Sequence, residues 1–310
     1  WGFETVIFSL LIGLFISNIF SIPKWLKESL SSELFVKIGL VLLGTTVLFD
    51  DLLKAGALGL IQSCVVVFTV WNFCFWLCRK MKIDKEMSLM LSSAVSICGV
   101  SAAVATAGAI KGDKTKLSYV VSLVLVVAVP MILIMPGLAK LMGLPEDMAG
   151  AWIGGTIDTT GAVAATGAIY GEVALQTSTI VKFSQNVLLG VAAFLISIYW
   201  SYSKKEVTEE KPTLKVIWLR FPKFVLGFVA ASLVFSFCVA PEVVSDAKPI
   251  LKNIQGMWFA LAFMSIGLET DFKSLITSEN RRSTYAFLGA QAFNVVFTLL
   301  VAWILFGLIA

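Results

Sequence analysis

The sequence predicts an all-α polytopic membrane protein of about ten transmembrane helices, and three observations support this prediction. Hydrophobic residues make up 58% of the 310 residues and charged residues only 14%, whereas soluble domains carry about a quarter charged residues. Apolar runs long enough to cross about 30 Å of hydrocarbon as helices recur along nearly the whole chain. The links between these runs are short and charged, which leaves no room for a soluble domain.

Ten membrane-spanning segments are expected from these runs. Their residues are 3–20, 34–50, 56–79, 87–110, 117–140, 149–170, 178–200, 221–240, 254–270 and 284–309. Lysine and arginine concentrate in every second link, and by the positive-inside rule these links face the cytoplasm. We therefore expect a multi-pass protein of the cell inner membrane, surrounded by lipid. The net charge of +4 is interpreted as a topology signal and not as an affinity for nucleic acid.

Two inverted five-helix repeats are expected, at residues 1–145 and 146–310, with a cytoplasmic link near 201–220 and discontinuous helices near mid-membrane. An odd-numbered unit re-enters the membrane with the opposite orientation, as an inverted repeat requires. Segments 42–54 and 263–275 are weakly alike and have opposite orientations in the ten-segment count. Because the chain begins with Trp1 and not with Met, we also expect a native N-terminal stretch before it.

A stronger internal likeness conflicts with this count. The segment SAAVATAGAIKG (101–112) matches TGAVAATGAIYG (160–171) at seven positions, yet the ten-segment count makes both run the same way through the membrane. Either the likeness is only one of composition, or one segment is re-entrant or miscounted. The sequence therefore leaves the relative orientation of segments 87–110 and 149–170 open.

Three stretches, at 93–110, 155–161 and 177–186, place polar residues inside apolar segments, and they supply the candidate site. Around 93–110, glycine and hydroxyl residues allow a membrane helix to open, although small residues also form close packing seams between helices. Around 155–161, a single carboxylate lies among glycines and threonines. Such a residue is functional by default, unless it lies near enough to the interface to be solvated. The candidate substrate-binding residues are Ser96, Cys98, Gly99, Ser101, Gly155, Thr156, Thr159, Thr160, Lys182, Ser184 and Gln185.

Asp158 and Lys182 are the candidate ion-coupling residues. Lys182 either extends its long stem to the interface or points inward, where it would serve an anionic substrate or act as the counter-ion of Asp158. A coupling Na⁺ is expected near Asp158 and Thr160, with H⁺ as the other choice. Asn72, Gln291 and Asn294 are interpreted as hydrogen-bond partners between helices.

Several function classes are disfavoured by the residues present. The chain has no histidine, the usual general base, and no GxxxxGK[ST] phosphate-binding loop, so we expect neither an enzyme nor an ATP-driven pump. Its five cysteines lie in apolar segments without nearby ligands for a metal site, so no metal or other cofactor is expected. Energy for transport would then come from an ion or substrate gradient.

The motifs resemble those of the YeiH-type sulfate exporter family across nearly the whole chain. The matching stretches are LVLLGTTVLFDDLLKAG (40–56), SICGVSAAVATAGAIK (96–111), WIGGTIDTTGAVAATGAIYGE (152–172), STIVKFSQNVLLG (178–190) and FALAFMSIGLETDFKSL (259–275). The resemblance implies kinship with the sodium/proton antiporter and bile acid:sodium symporter group, and with it inverted five-helix repeats and two discontinuous helices that cross near mid-membrane.

The chain departs from this family's pattern at several positions, and four of these change an ionisable or amide side chain. Where the family has His, Asp and Gln in S-I-H-D-T-A-Q-V-V-A-A-G, this chain has Asp158, Thr159 and Ala162; where the family has Arg in V-K-L-T-R, it has Gln185. A cavity with Lys182 as its main cation should hold a divalent anion less firmly, because arginine offers a bidentate fork to oxyanions.

Three functions remain open from the sequence. We expect a secondary transporter of a small anion (sulfate-like, a sulfonate or a small carboxylate), coupled to H⁺ or Na⁺ by alternating access and assembled as a homodimer. The positive ends of half-helices near Gly99–Ser101 and Gly155–Thr160 would attract the anion. The alternatives are a Na⁺/H⁺ antiporter without an organic substrate, and a passive channel or scaffold. A scaffold gains nothing from unsatisfied backbone at membrane depth.

Overall fold

The computed structural model describes residues 3–20, 23, 31–47, 49–203, 218, 223–269 and 281–309, and every element in these ranges is helical. In chain order the helices are α1 (Phe3–Ile19), α2 (Ser32–Gly44), α3 (Phe49–Lys80), α4 (Lys85–Ser93), α5 (Gly99–Ile110), α6 (Lys114–Leu141), α7 (Glu146–Thr156), α8 (Thr160–Tyr170), α9 (Glu172–Ser203), α10 (Phe224–Leu233), α11 (Pro241–Glu269) and α12 (Arg281–Ala302). π-helical turns extend α4, α10 and α12 over Ala94–Cys98, Val234–Cys238 and Trp303–Ile309. Most of the predicted link 201–220 lies outside the described residues.

Long apolar helices of the kind that cross membranes are present in the described ranges. Five helical stretches have the length and composition for this: Leu52–Lys80, Lys85–Ile110, Lys114–Leu141, Glu172–Trp200 and Arg281–Leu308. The expectation of an all-α membrane protein agrees with this architecture. The stretch Lys85–Ile110, however, is not a straight rod.

Helices α4 and α5 form a hairpin that returns to the end from which it started. The Lys116 ammonium, in the first turn of α6, contacts Asp84 Oδ1 at 2.8 Å and Glu86 Oε2 at 3.1 Å. A straight 26-residue helix would hold the two ends of this stretch about 39 Å apart. The base of the hairpin continues into α6 through Asp113, whose carboxyl accepts the backbone N–H groups of Lys116 and Thr115; these hydrogen bonds hold the pKa of Asp113 below its ordinary value.

Helices α7 and α8 form a second hairpin. The Tyr170 hydroxyl, at the end of α8, donates to Leu144 O at 2.5 Å, just before α7 begins. The backbone N–H of Val173 donates to Glu146 Oε2 at 2.9 Å. The first and last residues of the hairpin are therefore neighbours, and the chain reverses at residues 157–159.

Glycines allow the second hairpin to lie directly against α9. A Cβ atom on Gly150 would lie 2.8 Å from Ala174 O, and one on Gly154 would lie 2.9 Å from Ser178 Cα. On the returning arm, a Cβ on Gly167 would lie 2.8 Å from Leu175 Cα. Both arms thus approach the same N-terminal half of α9 more closely than any side chain would permit, which accounts for the small residues of this segment.

The two hairpins enter from opposite ends of α6 and meet at their tips. The first begins where α6 begins, and the second begins where α6 ends, since only residues 142–145 separate α6 from α7. At the tips, a Cβ on Gly99 would lie 2.5 Å from Val124 Cγ1 and 3.2 Å from Asp158 O. Val124 lies about 15 Å from the start of α6, so the tips meet well inside the molecule.

The predicted spans 87–110 and 149–170 are therefore wrong as single crossings. The sequence left open that one of them is re-entrant, and in the structure both reverse. Hydropathy reports that a run is apolar, and it contains no information on whether the run reverses. The two reversals also change the end of the molecule at which several charges lie. Lys111, Lys114 and Lys116 share the end where α3 ends, and Lys140 lies at the other end. Segment 117–140, which lies between the two hairpins, runs opposite to its predicted direction. The segments after the second hairpin keep their predicted directions, because there the two reversals cancel.

Helices α1, α2, α10 and α11 form a bundle beside the hairpins. Close contacts join them: a Cβ on Gly13 would lie 3.0 Å from Gly267 Cα, and one on Gly39 would lie 2.5 Å from the Phe259 ring. The bundle touches the hairpins at few places, one of which is Gly161, where a Cβ would lie 2.8 Å from Ile266 and 3.1 Å from Val36. The molecule thus has a hairpin body and a separate four-helix bundle.

Candidate functional site

The candidate site is the point where the two hairpin tips cross. Gly99 has φ +29° and ψ −103°, a backbone conformation that side chains with a Cβ rarely adopt. In the other tip, Ile157 and Thr159 are extended, and the Thr159 hydroxyl caps α8 by accepting the backbone N–H of Ala162 at 3.2 Å. Each tip thus ends one helix and starts another, leaving backbone groups free at membrane depth.

Replacing Gly99 with alanine is expected to disrupt the crossing. The positive φ and the collision with Val124 and Asp158 together should cost about 2–4 kcal/mol. Gly137→Ala is the matched control, because nothing lies within 4 Å of a Cβ there and alanine is favoured over glycine by roughly 0.5–1 kcal/mol inside a helix. Thermal unfolding of the detergent-purified protein should show a lower midpoint for the first variant and an equal or higher one for the second. Equal midpoints for Gly99→Ala and the parent protein would contradict the crossing.

Side-chain amides supply the donors that the freed tip carbonyls lack. Gln185 Nε2 donates to Gly155 O at 3.0 Å, and Gln291 Nε2 donates to Thr156 O at 3.0 Å. Asn294 Nδ2 reaches both hairpins, donating to Thr156 O at 3.2 Å and to Val95 O at 3.1 Å. The prediction that Gln291 and Asn294 bond between helices is confirmed, whereas Asn72 bonds Phe68 O of its own helix.

Lys182 lies at the centre of the crossing and is almost completely buried. Its ammonium donates to Ile97 O, in the first tip, at 3.1 Å and to Gln185 Oε1 at 2.5 Å. It therefore points inward and does not extend to the interface. Asp158 is 2% exposed, interacts electrostatically with Lys182 without a direct ion pair, and has no hydrogen-bond partner for Oδ2. The site thus holds one buried cation and one buried, incompletely satisfied carboxylate.

A cavity of about 850 Å³ reaches the crossing from one end of the molecule. It contains residues of both helix starts, Val100 and Ser101 from α5 and Thr160 and Gly161 from α8. Its mouth is formed by the starts of α2 and α10, where Lys37 pairs with Glu33 at 2.7 Å. The remaining lining residues include Cys98, Val104, Val121, Leu125, Ala128, Thr159, Asn186, Leu189, Lys223, Phe224 and Ile266.

The structure brings only some of the predicted binding residues to this cavity. Those that line it are Cys98, Ser101, Thr159 and Thr160. Gly99 forms the tip behind them, and Lys182 and Gln185 bind tip carbonyls. The hydroxyls of Ser96 and Ser184 bond the carbonyls one turn back in their own helices, Ser92 O and Ile180 O.

Gly155 and Thr156 lie at the last turn of α7, away from the cavity. The sequence placed the positive end of a half-helix at Gly155–Thr160, and the structure narrows it to Thr159–Gly161, because α7 ends at Thr156 and α8 begins at Thr160. Gly155 and Thr156 thus belong to the negative end of a helix.

Several residues of the site were not predicted. Asn186, next to two predicted residues, lines the cavity and donates to Thr160 Oγ1 at 3.3 Å, while its Oδ1 has no partner. Gln62 is a polar residue in an apolar run, a signal that could have been noticed; its Nε2 donates to Ala151 O at 2.7 Å. The bundle residues of the lining, such as Val36 and Ile266, carry no sequence signal at all.

Comparisons with known proteins place the chain among membrane proteins. Residues 2–286 match the family described as conserved hypothetical protein 698. The chain is 39% identical over 319 residues to a UPF0324 membrane protein of Rhodopirellula baltica, covering 100% of this chain and 59% of the relative. For a UPF0324 membrane protein of Nitratidesulfovibrio vulgaris the identity is 38% over 323 residues, covering 100% and 55%. No solved structure matches the chain.

The chain spans less than two thirds of the length of these relatives. A more distant one, a UPF0324 membrane protein of Nitrosomonas europaea, is 30% identical over 315 residues, with 89% of this chain and 64% of the relative covered. The names of these relatives place them in a membrane and give no substrate.

Proposed function

The chain belongs to the family of conserved hypothetical protein 698, in agreement with the YeiH-type motifs of its sequence, and on that premise we propose that it is a secondary active transporter of a small anion. It works by alternating access in the cell inner membrane and is coupled to H⁺ or Na⁺. The transported anion occupies the cavity at the hairpin crossing.

One observation carries this proposal: two helix N-termini meet in one cavity. Helices α5 and α8 begin at Gly99 and Thr160, and the first residues of both lie in the lining. The first turn of a helix leaves N–H groups without partners, and the helix dipole makes that end partially positive. Two such ends form an anion site that needs no buried cationic side chain. Lys182 is then free to stabilise the tips and not the substrate.

The cavity walls favour an organic anion over inorganic sulfate. Beyond the two helix starts, the lining is mainly aliphatic and aromatic, with Val104, Leu125 and Phe224 among the larger side chains. Sulfate cannot use such walls, whereas a sulfonate or carboxylate can place its charge at the helix starts and its carbon chain against them. Lys37 and Lys223 at the mouth attract the anion on entry.

Two cavities at opposite ends support alternating access. A second cavity of about 400 Å³ lies between α8, α11 and the end of α2, with an ion pair between Lys252 and Glu172 at 2.7 Å among its lining residues. The contact between the four-helix bundle and the hairpin body separates the two cavities. At this contact Gly161 of the hairpin body lies close to Ile266 and Val36 of the bundle. A shift of one body against the other would close the first cavity and open the second.

Charge distribution gives the proposed orientation. With both hairpins re-entrant, Arg79, Lys85 and Lys116 lie at the same end as the mouth of the larger cavity, and Lys140 and Lys252 lie at the other. The positive-inside rule places the lysine- and arginine-rich end in the cytoplasm, so the larger cavity opens inward. The described residues then hold eight crossing segments and two hairpins that enter from opposite faces, in place of ten crossings.

Uptake into proteoliposomes tests the proposal. Vesicles loaded with an unlabelled anion should take up the labelled anion by exchange, and an imposed Na⁺ or H⁺ gradient should drive accumulation. Na⁺-driven proton movement without any anion would indicate the Na⁺/H⁺ antiporter instead. Flux far above about a thousand per second would indicate a channel, since typical turnover numbers lie at or below this value.

Competition should rank organic anions above sulfate. Propanesulfonate shares the charged oxygens of sulfate and adds three carbon atoms for the apolar walls. Each buried methylene contributes about 0.8 kcal/mol, so three carbon atoms should let propanesulfonate inhibit uptake at about 50-fold lower concentration than sulfate at matched ionic strength. Equal or stronger inhibition by sulfate would contradict an organic substrate, with methanesulfonate as the short-chain control.

A further inference from the structure

The last turn of α7 lies on the side of the crossing away from the anion cavity and is surrounded by neutral polar side chains. Gln62 from α3 and Gln291 and Asn294 from α12 approach it, and each uses its amide N–H group to bond a backbone carbonyl oxygen. A Cβ on Gly155 would lie 2.5 Å from Gln62 Nε2 and 2.7 Å from Thr298 Cγ2, so these side chains contact the turn directly.

Three oxygens around this turn have no hydrogen-bond partner, although all are buried. They are Gln62 Oε1, Gln291 Oε1 and Thr156 Oγ1. Their orientation is fixed, because exchanging oxygen and nitrogen in Gln62 or Gln291 would place the amide oxygen against a carbonyl oxygen. Asn294 differs, since its Oδ1 accepts the Thr298 hydroxyl at 2.7 Å.

Thr156 is unusual among the buried hydroxyl residues of the hairpins. Ser92, Ser96 and Thr166 each donate to the carbonyl one turn back, at 2.7 Å. Thr156 makes no such bond, and its oxygen is left without a partner. A buried hydroxyl without a partner is costly, so a ligand that satisfies it would stabilise the fold.

The chemistry of this group of oxygens selects a monovalent cation. The three atoms offer lone pairs, and the neighbouring N–H donors are already used, so an anion finds no partner. The C-terminal end of α7 adds a partial negative charge, and half-helix C-termini coordinate coupling cations in transporters. A divalent ion would need carboxylate ligands, whereas these are neutral, and the close contacts at Gly155 favour a small ion.

We propose that one Na⁺ binds at the last turn of α7, with Gln62, Thr156 and Gln291 as side-chain ligands. This site is separate from Asp158 and from the anion cavity. It deepens the proposed function by adding a Na⁺ site apart from the coupling carboxylate, and only the part that this Na⁺ plays in transport rests on that function. Na⁺ bound here links α3, α7 and α12, so its arrival would stabilise the second hairpin.

Thermal unfolding in detergent tests the site without any transported anion. With NaCl replaced by KCl or N-methylglucamine chloride at constant ionic strength, Na⁺ at ten times its Kd should raise the midpoint of the parent protein by about 2 °C. Thr156→Val removes the unpartnered hydroxyl and breaks no hydrogen bond, so it should abolish the shift while leaving the Na⁺-free midpoint unchanged or higher. Thr156→Ser keeps a hydroxyl at this position and should keep the Na⁺-dependent shift.

Two matched variants make the test specific. Thr166→Val removes a hydroxyl that does have a partner, so its Na⁺ shift should equal that of the parent protein. Asp158→Asn should also keep the shift, because the site lies apart from the carboxylate. Equal midpoints of the parent protein in Na⁺, K⁺ and N-methylglucamine would overturn the proposal, since a buried water satisfies the oxygens without such dependence. Loss of the shift in Asp158→Asn would overturn the separation of the two sites. A Na⁺ shift in a protein that moves no anion would refute the transport function alone.

Discussion

Asp158→Asn is expected to abolish gradient-driven accumulation of the anion while leaving anion exchange intact. The carboxylate is buried at the crossing with Oδ2 unpartnered, beside the cavity and not in its lining. Such a group is suited to carry the coupling charge across the membrane, whereas an asparagine of the same shape carries none. One coupled charge at 100 mV is worth about 2.3 kcal/mol, so its loss should lower the accumulation ratio about 50-fold.

The measurement is uptake of the labelled anion with and without a membrane potential, compared with exchange in the same vesicles. Asp113→Asn is the matched control, because Asp113 caps α6 outside the site and asparagine caps helices equally well. Unchanged accumulation in Asp158→Asn would remove the coupling role from this residue. Loss of exchange as well would show that the carboxylate also serves anion binding.

Lys182→Met is expected to cause the largest loss of stability of any single change at the crossing. It removes the bonds to Ile97 O and Gln185 Oε1 and leaves Asp158 buried without a nearby cation. Breaking a buried charge arrangement in this way costs about 3–5 kcal/mol, which corresponds to a fall in the unfolding midpoint of about 5–8 °C.

The double variant Lys182→Met/Asp158→Asn separates the two contributions. If the charges compensate each other, the double variant should lose less stability than the two single variants together, by about 1–3 kcal/mol. Additive costs would show that Lys182 acts only through its hydrogen bonds to the tips. Lys116→Met, at the exposed base of the first hairpin, is the control for loss of a lysine and should change stability by about 1 kcal/mol or less.

The sequence was sufficient to predict the helical architecture and the centre of the site. Asp158, Gly99 and Lys182 were predicted from polar and glycine residues in apolar surroundings, and the structure places all three at the crossing. The sequence left open whether the likeness of residues 101–112 to 160–171 is only one of composition, and in the structure these residues form the returning arms of the two hairpins. Composition and spacing carry this information because burying polar groups in hydrocarbon is costly wherever the chain folds.

The reversals and the amide contacts could not be predicted in the same way. A hairpin of 26 apolar residues has the hydropathy of a crossing helix. Its reversal depends on the backbone angles at Gly99, and it brings Lys116 beside Asp84, 32 residues earlier in the chain. The part that the Gln62 and Gln291 amides play becomes clear only from the α7 carbonyl oxygens to which they donate. Contacts of this kind are set by tertiary packing, which a single sequence does not display.

A cryo-electron microscopy map of the protein saturated with a transported anion tests the central claim most directly. The account predicts density for the anion between the first turns of α5 and α8, within hydrogen-bond distance of backbone N–H groups of Val100, Ser101, Thr160 or Gly161, with its carbon chain toward Leu125 and Phe224. Anion density bound instead to the Lys182 ammonium, or found only in the cavity beside Glu172 and Lys252, would contradict it.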